Sequence, residues 1–229
     1  MNAINKPHKW YRWFWVQLIS NEVNRMLTAS MIFSTALVAA RAVYTGHFTY
    51  AGLIWNLFLA WLPYMISSRL LQVASNINKW TLLLVAFVWL LFIPNTFYIL
   101  TDLFHLSEHK NAPNWFDLSL IISFAWNGLL LGLLSVRQME KTVQRYMSER
   151  NELLFVYPIM WLNALGVYIG RYLRYNSWDI ITNPFGLSSD ILKMIGHPLH
   201  YKYAWGMVAC FSVFMTLAYC TIKRIHKAL

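Results

Sequence analysis

Six apolar runs, each close to the length a bilayer demands, divide this chain of 229 residues and restrict what it can become. They fall at about 26–44, 50–67, 80–95, 115–136, 152–175 and 203–222. A hydrocarbon core about 30 Å thick takes ~20 residues of α-helix at about 1.5 Å per residue. In lipid each backbone N–H and C=O must be satisfied within the protein, and a chain of such runs does so as helices. Composition agrees: 58% of residues are hydrophobic and 12% charged, about half the charged share of a soluble domain. The twelve Trp and thirteen Tyr suit membrane–water interfaces, where a ring sits among headgroups with its polar edge wet. The fold class is therefore all-α, a polytopic transmembrane helix bundle of about six spans. Short interfacial helices are expected at the N-terminus and between spans five and six.

Three parts follow. Residues 1–25 read as a cytoplasmic amphipathic segment, with Trp10, Trp13, Phe14 and Leu18 near one helical face. Glu22, Asn24 and Arg25 are expected to separate it from the first span. Residues 26–222 form the membrane domain, and residues 223–229 a basic cytoplasmic tail. Ala40-Arg41-Ala42 resembles a signal-peptidase site, but the basic and aromatic region before the first run is too long for a signal peptide, and a retained anchor is the better reading.

Charge gives the orientation. With the N-terminus inside, thirteen of the nineteen Lys and Arg lie on the inner side, and six (Arg41, Lys110, Arg171, Arg174, Lys193 and Lys202) on the outer. The positive-inside rule then places both termini in the cytoplasm. The net charge of +10 reads as this signal, helped by anionic headgroups, and not as a nucleic-acid surface. All four Asp and most His fall on the outer side, so a site, if there is one, faces outward. Cys210 and Cys220 lie in one run, roughly 15 Å apart along a helix, and cannot bridge.

Several constellations carry possible chemistry. Pro94 within the third run removes a helix hydrogen bond, and Asn95 can satisfy a freed backbone group. Asp102 and His105 at i and i+3 share a helix face, where a carboxylate could orient an imidazole or both could bind a metal, with His109 a third candidate ligand. Arg171 and Arg174 repeat that spacing and could fork a phosphate or carboxylate, as in a lipid headgroup; they could equally pair with Asp102, Asp117 or Asp179, or snorkel. Asn95, Asn176 and Asp179 complete the candidate anion or substrate site, and Asp102 with His105 the candidate catalytic pair. Asn56, Asn127 and Asn163 sit mid-span as interhelical glue or as a polar path. The pairs Gly128/Gly132 and Gly166/Gly170 permit close approach of spans four and five, preferentially within one chain, otherwise across a homo-oligomer. In the turn-rich stretch after span five, Ser188 could cap a short helix ending at Gly196. Nucleophile-elbow, phosphate-loop and zinc-protease patterns are absent from the sequence, and it names no cofactor.

The segments Pro94-Asn95-Thr-Phe-Tyr98-Ile-Leu-Thr-Asp102-Leu-Phe-His105-Leu and Gly170-Arg171-Tyr-Leu-Arg174-Tyr-Asn176-Ser177-Trp178-Asp179 resemble a family of bacterial polytopic membrane proteins known only as a domain of unknown function. Trp115-Phe-Asp117 and the run from Asn127-Gly128 to Ser135 are similar too. The resemblance covers roughly residues 80–222 and implies a multi-pass protein of the bacterial inner membrane; it supplies no catalytic residues. The family pattern carries Pro-Asn-Ala-Pro-Tyr where this chain has Thr96-Phe97, which implies a more regularly helical third span.

Three functions remain in view. One is an enzyme acting at the outer face on a lipid or lipid-linked anionic group; the others are a small-molecule transporter or channel and a non-catalytic scaffold subunit. Membrane lipids are partners in all three. Convergence of the Asp, His and Arg side chains in one outward pocket would favour the first; a continuous path through the asparagines would favour the second.

Overall fold

The computed structural model describes residues 21–106, 111–144 and 152–228. The amphipathic segment expected in residues 1–20, and His109, lie outside the described residues. Among those described there are no strands, and six helices are long and apolar enough to cross a membrane. The chain is an all-α bundle of the multi-pass membrane type.

The first span is α1 (Glu22–Thr45). It starts four residues earlier than expected because Asn21 caps it, its side chain accepting the Asn24 N–H at 2.8 Å. Glu22, Asn24 and Arg25 thus form the first turn of the span and do not interrupt it. The helix is continuous through Ala40-Arg41-Ala42 and ends at Gly46, whose φ of 73° is the left-handed conformation glycine adopts without penalty. The second span is α2 (Ala51–Val73), which contains Pro63. The third is wound in three pieces: α3 (Lys79–Phe92), α4 (Pro94–Tyr98) and a 3₁₀ segment, Ile99–His105. Then follow α5 (Asn114–Val143), α6 (Glu152–Tyr172), the short α7 (Asp179–Thr182), α8 (Pro184–Gly196) and α9 (Lys202–Ala228).

Two boundaries depart from the sequence reading. α8 ends at Gly196 as expected but begins at Pro184, capped by Asn183 and not Ser188, because proline is preorganised for a first helical position and the Asn183 carboxamide accepts the Gly186 N–H. The basic tail is not a separate segment through Ala228, since α9 carries on into it. Lys223 is buried there, donating to Glu140 at 2.7 Å, with Tyr219 donating to the same carboxylate and Arg137 paired to it at 2.5 Å.

The spans alternate in direction, and pairs such as Arg41–Asp117 and Arg171–Asp102 put residues 46–50, 111–113 and 173–201 at one end of the bundle, here the distal end. α5 packs along α2, α6 pairs with α9, and α4 wedges between α2, α5 and α6. Two apolar cores result. One joins Trp89, Phe97, Val136, Met160, Val208 and Met215; the other joins Leu27, Leu57, Ile99, Leu120 and Phe124. Phe97 and Ile99, two residues apart, belong to different cores, so the third span changes its winding where the cores meet. Apolar side chains such as Trp80, Leu84, Leu154 and Leu217 face outward, as expected where lipid and not water is the solvent.

Candidate functional site

The site is organised by the break at Pro94. Proline lacks an N–H and cannot continue the hydrogen-bond ladder, yet the backbone stays helical, with Ile93 at φ −60°, ψ −30° and Ile99 at −58°, −28°. The carbonyls around the break find other donors. Asn95 Nδ2 donates to the Phe92 carbonyl at 2.9 Å, Ser177 Oγ donates to the Leu91 carbonyl at 2.9 Å, and Thr96 Oγ1 donates to the Ile93 carbonyl at 2.7 Å. Asn95 also donates to Ser177 at 3.0 Å. The loop after α6 is thereby fastened to the break in the third span.

Glycines on two sides let this segment in. A Cβ on Gly128 would lie 2.5 Å from the Thr96 carbonyl, and one on Gly132 2.5 Å from Thr96 Oγ1. On the other flank a Cβ on Gly166 would lie 2.5 Å from Pro94, and one on Gly170 3.3 Å from the Tyr98 ring. The two glycine pairs therefore do not bring spans four and five against each other. They grip the third span from either side, inside one chain.

Beyond the break the 3₁₀ winding, with about three residues per turn, stacks Asp102 and His105 on one face, and Arg171 of α6 collects what that face offers. Its Nη2 donates to Asp102 Oδ1 at 2.9 Å, Nε to Thr101 Oγ1 at 2.9 Å, and Nη1 meets Tyr98 Oη at 3.3 Å and His105 Nε2 at 2.9 Å. The guanidinium also lies 4.9 Å from the Tyr98 ring centroid. Guanidinium has no acceptor, so His105 Nε2 is the acceptor in this contact. Asn56 donates to the second Asp102 oxygen at 3.2 Å. Asp102 and His105 thus meet through Arg171 and not directly. Of the pairings open to Arg171 in the sequence, that with Asp102 is realised.

Beside this cluster a cavity of about 700 Å³ lies between α2, the third span, α6 and α8. Its lining includes the polar residues Asn95, His105, Arg171, Arg174 and Asn176 and apolar residues such as Leu59, Leu90, Leu165, Ile169 and Ile191. Asp102 stands behind, with Asn56 and His105 on a smaller cavity of about 240 Å³. Asp179 is not on the lining. It accepts the Asn176 N–H at 2.6 Å and the Thr182 hydroxyl at 2.7 Å, which hold its carboxyl below the usual carboxylate range. Asp190, bonded by Lys193 and Tyr175, is lowered as well, and the Tyr175 phenol is pushed up by the same bond. These contacts tie the distal loop to α8.

Sequence reasoning missed other buried polar groups. Arg41, counted among the outer-loop charges, is 2% exposed in α1 and forms a bidentate pair with Asp117 of α5, Nε–Oδ1 2.6 Å and Nη2–Oδ2 3.0 Å. Tyr64 donates to Asn24 at 2.5 Å, and the Trp89 indole donates to Ser135 at 2.8 Å. A charge within an apolar run is itself a signal, since such a residue needs a partner; the partner 76 positions away is not legible. The mid-span asparagines form no common path: Asn56 bonds Asp102, Asn127 bonds Ser34, and Asn163 is fully buried with both amide atoms lacking a hydrogen bond. Among the described residues no three His, Cys, Asp or Glu side chains gather as for a metal ion.

Fold and site together define a polytopic helical membrane protein whose interrupted third span is clamped by an arginine from the fifth. The profile of the family described as a protein of unknown function, DUF1361, matches residues 55–218, and the chain belongs to that family. The match takes in the whole Arg171 cluster and leaves out α1. No curated protein and no solved structure matches the chain.

Proposed function

We propose that this is a bacterial inner-membrane protein, with both termini cytoplasmic, that binds a lipid or lipid-linked anionic group in the distal cavity, facing outward. The observation that carries the reading is the mixed composition of the cavity lining, in which cationic and amide groups stand together with many aliphatic side chains. That is the chemistry of an amphiphile, whose headgroup needs donors and whose chain needs apolar cover. Orientation is supported by charge. Arg41 and Arg171 are held in ion pairs inside the bundle, and Arg137 and Lys223 are paired with Glu140, so the same discount on both sides leaves four outer charges against eleven inner ones, in keeping with the positive-inside argument. Asp102 and His105 serve to hold Arg171 in place.

The test is native mass spectrometry with lipid extraction on protein purified in mild detergent. The reading expects a retained lipid, and less of it in Leu162→Trp, which fills the cavity from a partly exposed lining position. Protein free of lipid, or a variant retaining as much as wild type, would count against it.

A further inference from the structure

Two arginines line the cavity, and they differ in one decisive respect. Arg171 is engaged by Tyr98, Thr101, Asp102 and His105, its charge balanced by Asp102 at 2.9 Å. Arg174 makes no hydrogen bond or ion pair among the described residues, and the lining contains no acidic side chain. Its backbone adds an independent sign. Arg174 has φ 60°, the one non-glycine residue with positive φ among those described. It lies two residues past the end of α6, where the following Tyr175 N–H turns back to the Ile169 carbonyl at 3.3 Å. Glycine is the usual residue for such a left-handed helix end, and Gly46 has it at the end of α1. Strain of this kind on a charged residue lining a cavity is what a binding site retains when the side chain matters more than the backbone's comfort.

We infer that Arg174, and not Arg171, is the cation that meets the ligand's headgroup, and that the ligand is a membrane lipid with a single negative charge, a phosphodiester such as phosphatidylglycerol. The inference rests on the proposed lipid-binding reading of the cavity. With Arg171 paired to Asp102, the lining carries one cation without a carboxylate partner, Arg174. One phosphodiester balances it. A zwitterionic headgroup brings a competing cation, and a doubly charged phosphomonoester brings an anion with no partner.

The experiment is competitive lipid binding by native mass spectrometry on the full chain, using phosphatidylglycerol, phosphatidylcholine and phosphatidic acid. Wild type should prefer phosphatidylglycerol over phosphatidylcholine on the order of tenfold, the size of one charge-assisted hydrogen bond, with no further gain for phosphatidic acid. Arg174→Gly should erase that preference and still bind lipid, while its melting temperature rises because the left-handed strain is relieved. Arg174→Lys should keep most of the preference. Lipid bound by wild type without headgroup preference, or a preference that survives in Arg174→Gly, overturns the inference while leaving the cavity reading intact. Stronger binding of phosphatidic acid than phosphatidylglycerol overturns the single-charge assignment. Failure of wild type to bind any of the three overturns the cavity reading itself.

Discussion

The ring of Pro94 occupies the space that a side chain at residue 166 would need, its Cγ only 2.5 Å from where a Cβ on Gly166 would lie. A residue that breaks the third span is thus seated against one that lets it approach the fifth, and that approach brings Arg171 to Asp102. Gly166→Ala should force this contact apart. Overpacking of this kind costs about 1–3 kcal/mol, and because the ring is rigid a thermal-shift assay in detergent should show a clear drop in melting temperature. Gly206, with nothing within 4 Å of where its Cβ would lie, is the control: Gly206→Ala should be neutral or stabilise by about 0.5–1 kcal/mol.

The Arg41–Asp117 pair is nearly inaccessible, with side chains 2% and 1% exposed. Asp117→Asn should leave the Arg41 charge buried and uncompensated, at about 3–5 kcal/mol. Replacing both, Arg41→Met with Asp117→Leu, should recover most of that loss. Equilibrium denaturation of single and double variants checks it, and a double variant no better than Asp117→Asn would show that the pair does more than balance charge.

Asn95 and Ser177 form one linked unit that satisfies the Leu91 and Phe92 carbonyls. Asn95→Ala and Ser177→Ala should each cost about 1 kcal/mol or more. Their effects should be non-additive by at least ~0.5 kcal/mol in a double-mutant cycle, as expected for residues in one hydrogen-bond network. Additive losses would mean the loop and the helix break are fastened independently.

These contacts show where sequence reasoning reached and where it stopped. Six spans were legible because bilayer thickness sets their length, and Pro94-Asn95 was legible because proline's missing N–H is a local fact. The sharing of Asp102 and His105 by Arg171 was not, since a residue spacing in one helix cannot say which helix faces it. Arg41 looked like a loop charge because it lies near the end of an apolar run; only the approach of α5 gives it Asp117. The glycine pairs announced close contact correctly but not its partner, which is a broken helix seated between them. Arg174's left-handed backbone left no trace in the sequence, where an arginine at a helix end reads as ordinary.

The distal loop should respond to pH. Asp179 and Asp190 are both held below the usual carboxylate range, by the Asn176 N–H and by Lys193 with Tyr175 respectively. A lowered folded-state value contributes stability above the unfolded value, near pH ~4, that is lost as pH falls through the folded value. The Tyr175 phenol is raised by Asp190, so its contribution is present below about pH 10 and is lost as pH rises beyond. Hydrogen-exchange protection at residues 176–190, taken relative to the intrinsic exchange rate at each pH, should therefore be greatest between those limits and fall on either side. Asp190→Asn should remove the alkaline limb and reduce the acid one.

Occupation of the cavity between the third span, α6 and α8 by an amphiphile is tested most directly by a density map of the protein in lipid nanodiscs containing phosphatidylglycerol. The expected result is elongated density along Leu90, Leu165 and Ile169, ending in a headgroup within hydrogen-bond distance of the Arg174 guanidinium. A cavity holding only ordered water, or lipid density with Arg174 turned away from it, would contradict that assignment.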